Sequence, residues 1–306
     1  MKRILVLLLV LTAAFGTRAQ LLWQISGNGL KQPSYVFGTH HYAPLSVLDS
    51  VPQVRTALQQ VTQVCGEINM LDLGKATRMM AEAMMLPKDK TLSDFIPERS
   101  RGAVDAMMKQ YLGVGIDNPA MQRICPVAIE TQLVAAIVAK KLPKIAGDSQ
   151  LDLYFQSKAD KAGKKIAAFE TMQQQLDLLF SKSLYRQGKL LACVAENADW
   201  SVGYTEMLTE AYMLRDLNSI EDAINMKLES DCDSTPEEEA ALYSDRNAQW
   251  LKTMPAMMQS DATLFVVGVA HLVGDQGLLR SLRAAGYTVE PVDKVAVNYS
   301  LAIENK

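Results

Sequence analysis

Histidine and cysteine are scarce in this chain, with 3 and 4 residues among 306. A metal or nucleophilic centre built on imidazole or thiol therefore has very few candidates. Cys65, Cys125, Cys193 and Cys232 show no CxxC spacing, which argues against a zinc ribbon or a redox pair. HExxH, GxSxG and the P-loop are missing, and Gly27-Asn28-Gly29 lacks the third glycine of GxGxxG. A conventional zincin, an α/β-hydrolase and a nucleotide-binding protein are all disfavoured. With a net charge of −3 and no long basic run, a nucleic-acid binder that works by neutralising phosphates is excluded as well. There is no low-complexity stretch and no Pro/Gly/Ser linker, so residues 20–306 read as one domain.

One apolar run does stand out. Lys2 and Arg3 precede Ile4 to Gly16, and Thr17-Arg18-Ala19 places small residues before Gln20. This is the pattern of a cleavable signal peptide over residues 1–19, and it predicts export to the periplasm or secretion. No later run reaches the roughly 18 apolar residues of a membrane helix. Without Lys2, Arg3 and Arg18 the net charge moves from −3 to −6. Export permits disulfides, and four cysteines allow three full pairings, among which sequence does not choose.

Strand signals are few. Leu21 to Ile25 and Tyr35 to Phe37 flank the Gly/Asn turn and read as a hairpin. Val61 to Glu67, Lys165 to Phe169, Thr263 to Val267 and Thr288 to Val292 complete the set, the last three as apolar runs of buried-strand length. Between them the period is helical: 52–63, 75–85, 100–112, 126–140, 152–162, 171–182 and 276–285. Thr171 with Gln174, and Thr235 with Glu238 after Pro236, fit capping boxes. The expected class is α+β with an α/β-like core: a small central sheet made by the chain's two ends, with a large helical middle of roughly 70–260 inserted between them. Most of the 16 methionines lie in that middle, where adaptable core filling is their expected role.

Two segments repeat one pattern. Tyr35 to His41 and Phe265 to His271 each run from a strand into Gly-x-x-His, Gly38 to His41 and Gly268 to His271. Each continues through a helix to another strand, which gives two pseudo-twofold halves. Two of three histidines preceded by glycine at this spacing has a chance probability on the order of 1%. Glycine permits a tight turn or close backbone approach, and the histidine then projects at the rim where α/β sheets bind ligands. Taken singly, either histidine could be merely structural; the pair reads as functional. His40, adjacent to His41, reads as a supporting or surface residue.

Glu67 and Glu170 end two further strands. If those strands are parallel, His41, Glu67, Glu170 and His271 meet at one rim. Two imidazoles and a carboxylate suit a divalent metal with an open position; the same set suits acid–base work without metal. Downstream of Thr235, Leu242, Tyr243, Arg246, Asn247, Trp250, Leu251 and Met254 fall on one helical face. Arg246 and Asn247 therefore lie in an apolar stripe, and a buried arginine needs a carboxylate or a ligand anion. Contact with Glu67, Glu170 or substrate is expected. Asp152, near a helix start, reads as a capping or solvated residue.

These motifs resemble the TraB/PrgY/GumN family, which includes the animal TIKI proteins. The resemblance rests on Leu22-Trp23-Gln24-Ile25-Ser26-Gly27, on Gly38 to His41, on Phe169-Glu170-Thr171 with Gln175, on Asp245-Arg246-Asn247 with Trp250, and on Val267 to Gly274 with Gly277-Leu278-Leu279. It covers nearly the whole chain beyond the leader. His40 departs from the apolar residue usual there. Membership implies a fold related to erythromycin-esterase-like hydrolases and, from the TIKI proteins, a metal-dependent protease activity. Carried over, the metal and catalytic roles fall on His41, Glu67 and His271, with Glu170 and Arg246 supporting and Mn²⁺, Co²⁺ or Zn²⁺ as the ion. Three functions compete: an exported metal-dependent peptidase, in which Arg246 stabilises the oxyanion; a metal-independent esterase-like hydrolase; and a non-catalytic protein that sequesters a peptide or other ligand.

Overall fold

The computed structural model describes residues 20–143 and 151–292. The segment read as a signal peptide, 1–19, lies outside them. Among the described residues no helix is long and apolar enough to cross a membrane.

Among the described residues six strands form one mixed sheet: β1 (Leu22–Ser26), β2 (Ser34–Thr39), β3 (Gln63–Gly66), β4 (Lys165–Ala168), β5 (Thr263–Gly268) and β6 (Thr288–Pro291). Their spatial order is β4-β3-β5-β2-β1-β6. β2, β5, β3 and β4 are mutually parallel, and β1 runs antiparallel to both β2 and β6. The first and last parts of the chain thus interleave, with β5 seated between β2 and β3. Tyr35 pairs with Leu264 and Thr39 with Gly268, so the two Gly-x-x-His segments leave the sheet side by side. The repeat is broken at β6, which β1 and β2 separate from β5. β2 is buried throughout and β5 nearly so, as continuous apolar runs in a doubly covered sheet require. At the hairpin, Gly27, Asn28 and Gly29 all have positive φ, a conformation that glycine and asparagine adopt at low cost.

Among the described residues thirteen α-helices surround and extend this sheet: α1 (Val47–Ser50), α2 (Gln53–Gln60), α3 (Leu73–Ala83), α4 (Arg101–Leu112), α5 (Pro126–Lys141), α6 (Leu151–Lys161), α7 (Met172–Leu179), α8 (Leu184–Glu196), α9 (Ala198–Leu214), α10 (Leu217–Ile224), α11 (Pro236–Leu242), α12 (Ser244–Ser260) and α13 (Leu278–Ala284). Both capping boxes form, Thr171 with Gln174 and Thr235 with Glu238. The single helix expected downstream of Thr235 is in fact two. Tyr243, at φ −126° and ψ −70°, breaks it between α11 and α12.

Two apolar cores result. The larger packs the sheet against residues such as Phe155 of α6, Tyr212 of α9 and Trp250 of α12. The smaller lies within the helical middle, around Leu92, Phe95, Met108, Ile129 and Leu191. Met108, Met254 and Met258 fill core space as expected, whereas Met85, Met207 and Met213 are exposed. One disulfide, Cys193 to Cys232, ties α8 to the loop before α11, and Cys65 and Cys125 are buried free thiols.

The two motif glycines have different roles, and neither lies at positive φ. A Cβ on Gly38 would stand 2.8 Å from Leu272 and 2.9 Å from Val269, too close for either; on Gly268 its nearest neighbour would be Glu67 Oε1 at an ordinary 3.4 Å. Gly38 is needed for close approach, not for a strained turn. Gly38→Ala is expected to cost about 1–3 kcal/mol by overpacking, and Gly268→Ala less than about 1 kcal/mol, as urea titration of the purified chain would show.

Candidate active site at the sheet rim

The carboxyl ends of β2, β3, β4 and β5 point to one rim, the position where open parallel sheets bind ligands. His41 lies two residues beyond β2, Glu67 one beyond β3, Glu170 two beyond β4 and His271 three beyond β5. The Glu170 backbone N–H donates to Glu67 O at 2.9 Å, which extends the β3–β4 ladder to hold both acids in register.

Arg246 of α12 is the hub. Its Nε donates to Glu170 Oε1 at 2.7 Å, and its Nη2 donates to Glu67 Oε2 at 2.6 Å and Glu170 Oε2 at 3.0 Å. Its Nη1 contacts His271 Nε2 at 3.0 Å and the Leu242 carbonyl at 3.3 Å. Its guanidinium also stacks over the Trp250 ring at 4.8 Å, and Trp250 Nε1 donates to Glu170 at 2.9 Å. Burial works against the Arg246 charge, but Glu170 and Glu67 outweigh it and raise its pKa. All five guanidinium N–H groups therefore have acceptors. The expected contact of Arg246 with Glu67 or Glu170 is made with both, and it makes Arg246 the cation that fixes the two carboxylates.

His271 is equally committed. A guanidinium has only donors, so Nε2 accepts from Arg246 and Nδ1 carries the proton. That Nδ1–H donates to Asn247 Oδ1 at 2.8 Å, while Asn247 Nδ2 donates to the carbonyls of His271 and Gln276. Burial pushes the imidazole down to about 4, with Glu67 opposing and Arg246 assisting. Glu67 is fixed further by the Gly268 N–H at 2.8 Å and Gln175 at 3.2 Å. Burial opposes its charge; His271, Arg246 and the Gly268 N–H together hold it below its ordinary range.

In front of this cluster is a cavity of about 160 Å³ lined by His41, Glu67, Ile68, Met70, Leu151, Asp152, Gln156 and Gln175. Asp152 is not a solvated helix cap. Its carboxyl is sequestered at the start of α6, where it accepts from Thr39 Oγ1 at 3.2 Å. Burial and then the charge of Glu67 raise it to about 6, with His41 and Thr39 pulling the other way. A periodic signal was present: Asp152 shares a helical face with the buried Phe155, Gln156 and Ala159, the argument that identified Arg246. Gln156 was also missed. Its amide donates to Ile68 O and accepts from Met70 N, which pins the segment that carries Glu67.

His41 is exposed at the cavity, whereas His40 turns away. His40 Nε2 bonds Thr209 Oγ1 at 2.9 Å and its ring packs on Tyr212, whose hydroxyl donates to Gly38 O at 2.8 Å. Burial, with His41 beside it, lowers His40 to about 4.

The expected metal set His41, Glu67 and His271 is not assembled as a cage. Among the described residues no three His, Cys, Asp or Glu side chains are grouped so as to hold an ion, and both His271 nitrogens are bonded. His41, Glu67 and Asp152, an imidazole and two carboxylates, all face the cavity, but they are not grouped closely enough to form an ion cage.

A family model described as the TraB/PrgY/gumN family matches residues 21–291. The chain belongs to this family. It is 22% identical to a "Metalloprotease TIKI homolog" of Amphimedon queenslandica over 89% of the chain and 61% of that protein. It is 25% identical to "Metalloprotease TIKI2" of Danio rerio over 88% of the chain and 60% of that protein, and 24% identical to "Metalloprotease TIKI2" of Xenopus tropicalis over 88% and 59%. The chain thus spans about three-fifths of the length of these relatives. No solved structure matches it significantly. In this family member the hub residues come from β3, β4, α12 and the segment after β5, so the sheet must close before the site exists.

Two outcomes follow for stability. Arg246→Leu leaves Glu67 and Glu170 buried without their cation and is expected to cost about 3–5 kcal/mol at pH 7 in urea titrations. Because Glu67 is held low, its contribution is present above the ordinary carboxylate pKa and fades as pH falls through the folded value. The difference from wild type should therefore shrink on acidification. Asp152 has the opposite sign: its folded pKa is raised, so its stabilisation is full below about 4 and lost as pH rises through about 6. Asp152→Asn should gain on wild type by on the order of 2 kcal/mol between pH 4 and 7, read as the change in unfolding free energy.

Proposed function

We propose that this chain is an exported hydrolase that cleaves peptide bonds at the rim cavity. The observation that carries the reading is the convergence of His41, Glu67 and Asp152 on one small cavity, backed by a fully bonded Arg246–His271 network. The names of the TIKI relatives support a peptide substrate and a divalent ion, and the 1–19 leader pattern supports export.

Asp152 is the proton-handling group. Raised to about 6, it is largely carboxylate at neutral pH yet basic enough to accept a proton from water. As water adds to the amide carbonyl, Asp152 takes its proton and returns it to the departing amine. The Thr39 hydroxyl orients the carboxylate for this exchange. Glu67 stays ionised, held by Arg246 and Gly268 N–H, and supplies negative charge at the cavity wall without moving. His41, at the exposed edge, orients substrate and water. His271, Asn247, Glu170 and Arg246 are positioning residues behind the cavity. An ion such as Mn²⁺, Co²⁺ or Zn²⁺ would supply a lower pKa for the attacking water; among the described residues no three His, Cys, Asp or Glu side chains are grouped to hold one, so the proton transfers are assigned to Asp152 alone.

The test is a peptide-library digest with the purified mature chain, with and without added Mn²⁺ or Zn²⁺. Cleavage by wild type should fall about 100-fold or more in Asp152→Asn and in His41→Ala, while both variants keep cooperative unfolding. Equal cleavage by all three proteins contradicts the assignment. Cleavage that survives chelator unchanged removes the ion but keeps the hydrolase.

A further inference from the structure

A second and larger cavity, about 450 Å³, lies in the helical middle, within the range of small-ligand sites. Glu130 of α5 and Lys182, between α7 and α8, line it together with Trp200, Tyr204 and Tyr243. Trp200 and Tyr204 stack one turn apart on α9 at 5.4 Å. The loop between α10 and α11 forms one wall. The Cys193–Cys232 disulfide ties this loop down, as does Arg186, whose Nη1 and Nη2 donate to the carbonyls of Asp231 and Asp233 at 2.7 and 2.6 Å. The wall is built, not incidental.

Charge in this cavity is not used up by the fold. Arg186 is committed to Glu238, and Lys227 to Glu239. Asp233 accepts from the backbone N–H groups of Leu228 and Ser230. The side chains of Glu130 and Lys182, in contrast, form no hydrogen bond or ion pair with each other or with any other described residue; only the Lys182 carbonyl is engaged, by Gln187. Burial raises Glu130 to about 7 against the pull of the nearby Lys182 and Arg186 charges. Glu130 is half-buried, and a ligand that brings a donor to its unpartnered carboxyl gains a charge-assisted hydrogen bond there. The cavity thus offers an acceptor, a cation and aromatic side chains.

We infer that this cavity binds a short zwitterionic peptide or free amino acid, its ammonium group at Glu130, its carboxylate at Lys182 and an apolar side chain against Trp200 and Tyr204. Such molecules are what peptide cleavage releases, but binding here does not depend on hydrolysis at the rim. Tyr243 connects the two sites: it lines this cavity and its ring meets His271 edge-on at 5.7 Å. A ligand in the cavity would therefore share Tyr243 with the rim network.

The test titrates the full chain with the dipeptide phenylalanyl-leucine, followed by calorimetry and by tryptophan fluorescence with Trp200→Phe as the optical control. Saturable binding is expected in wild type and equally in Asp152→Asn, which separates it from the proposed catalysis. Acetylating the peptide's amine or amidating its carboxylate should each weaken binding about tenfold, roughly 1.4 kcal/mol. Glu130→Gln should abolish the penalty for acetylation, and Lys182→Met the penalty for amidation. Both replacements preserve side-chain size, and unchanged unfolding curves would show that the fold is kept. No saturable binding at millimolar peptide, binding that both variants leave unchanged, or binding lost only in Asp152→Asn would each overturn the inference.

Discussion

One buried guanidinium organises this protein. Arg246 joins Glu67 after β3, Glu170 after β4 and His271 after β5, groups up to 204 positions apart in sequence. Burying one cation with two carboxylates is affordable only because every donor and nearly every acceptor is satisfied. The consequence is asymmetry. Glu67 and His271 are locked, one ionised and one neutral, while Asp152 is left without a cation of its own and rises toward neutrality. Two carboxyls side by side with their pKa values driven apart are the usual arrangement of an acid–base site.

The sheet makes that hub possible. Parallel strands deliver their carboxyl ends to a single edge, and inserting β5 between β2 and β3 places both Gly-x-x-His segments there. Close packing sets the precision. Gly38 lets Val269 and Leu272 approach β2, and Gly66 leaves room for the Gln156 amide that pins the Glu67 segment. Helices α6 and α12 then supply Asp152 and Arg246 from the inserted middle, so neither the sheet nor the helical part contains the site alone.

Much of this could be read from the sequence. All six strands, both capping boxes and the approach of Arg246 to the rim acids followed from period and composition. Local signals were less informative where tertiary context decided. The break at Tyr243 lacks Gly or Pro, so period alone ran two helices together. Asp152 looked like an ordinary first-turn acid, since its burial depends on Thr39 and Glu67 from other elements. His271 looked like a free ligand because the Arg246 contact that occupies its Nε2 comes from residue 246, which period places on a stripe but not against a particular atom. None of the three full cysteine pairings forms: Cys193 and Cys232 are bridged beside the second core, while Cys65 and Cys125 stay buried as free thiols.

The state of His271 tests this account most directly. With ¹⁵N-labelled histidine and the three imidazoles assigned by substitution, His271 should remain the neutral Nδ1–H tautomer through pH 5 and protonate near 4, as burial against Arg246 requires. Titration near the ordinary histidine value, or a proton on Nε2 at neutral pH, would mean that Arg246 does not hold it and that the hub does not form as described.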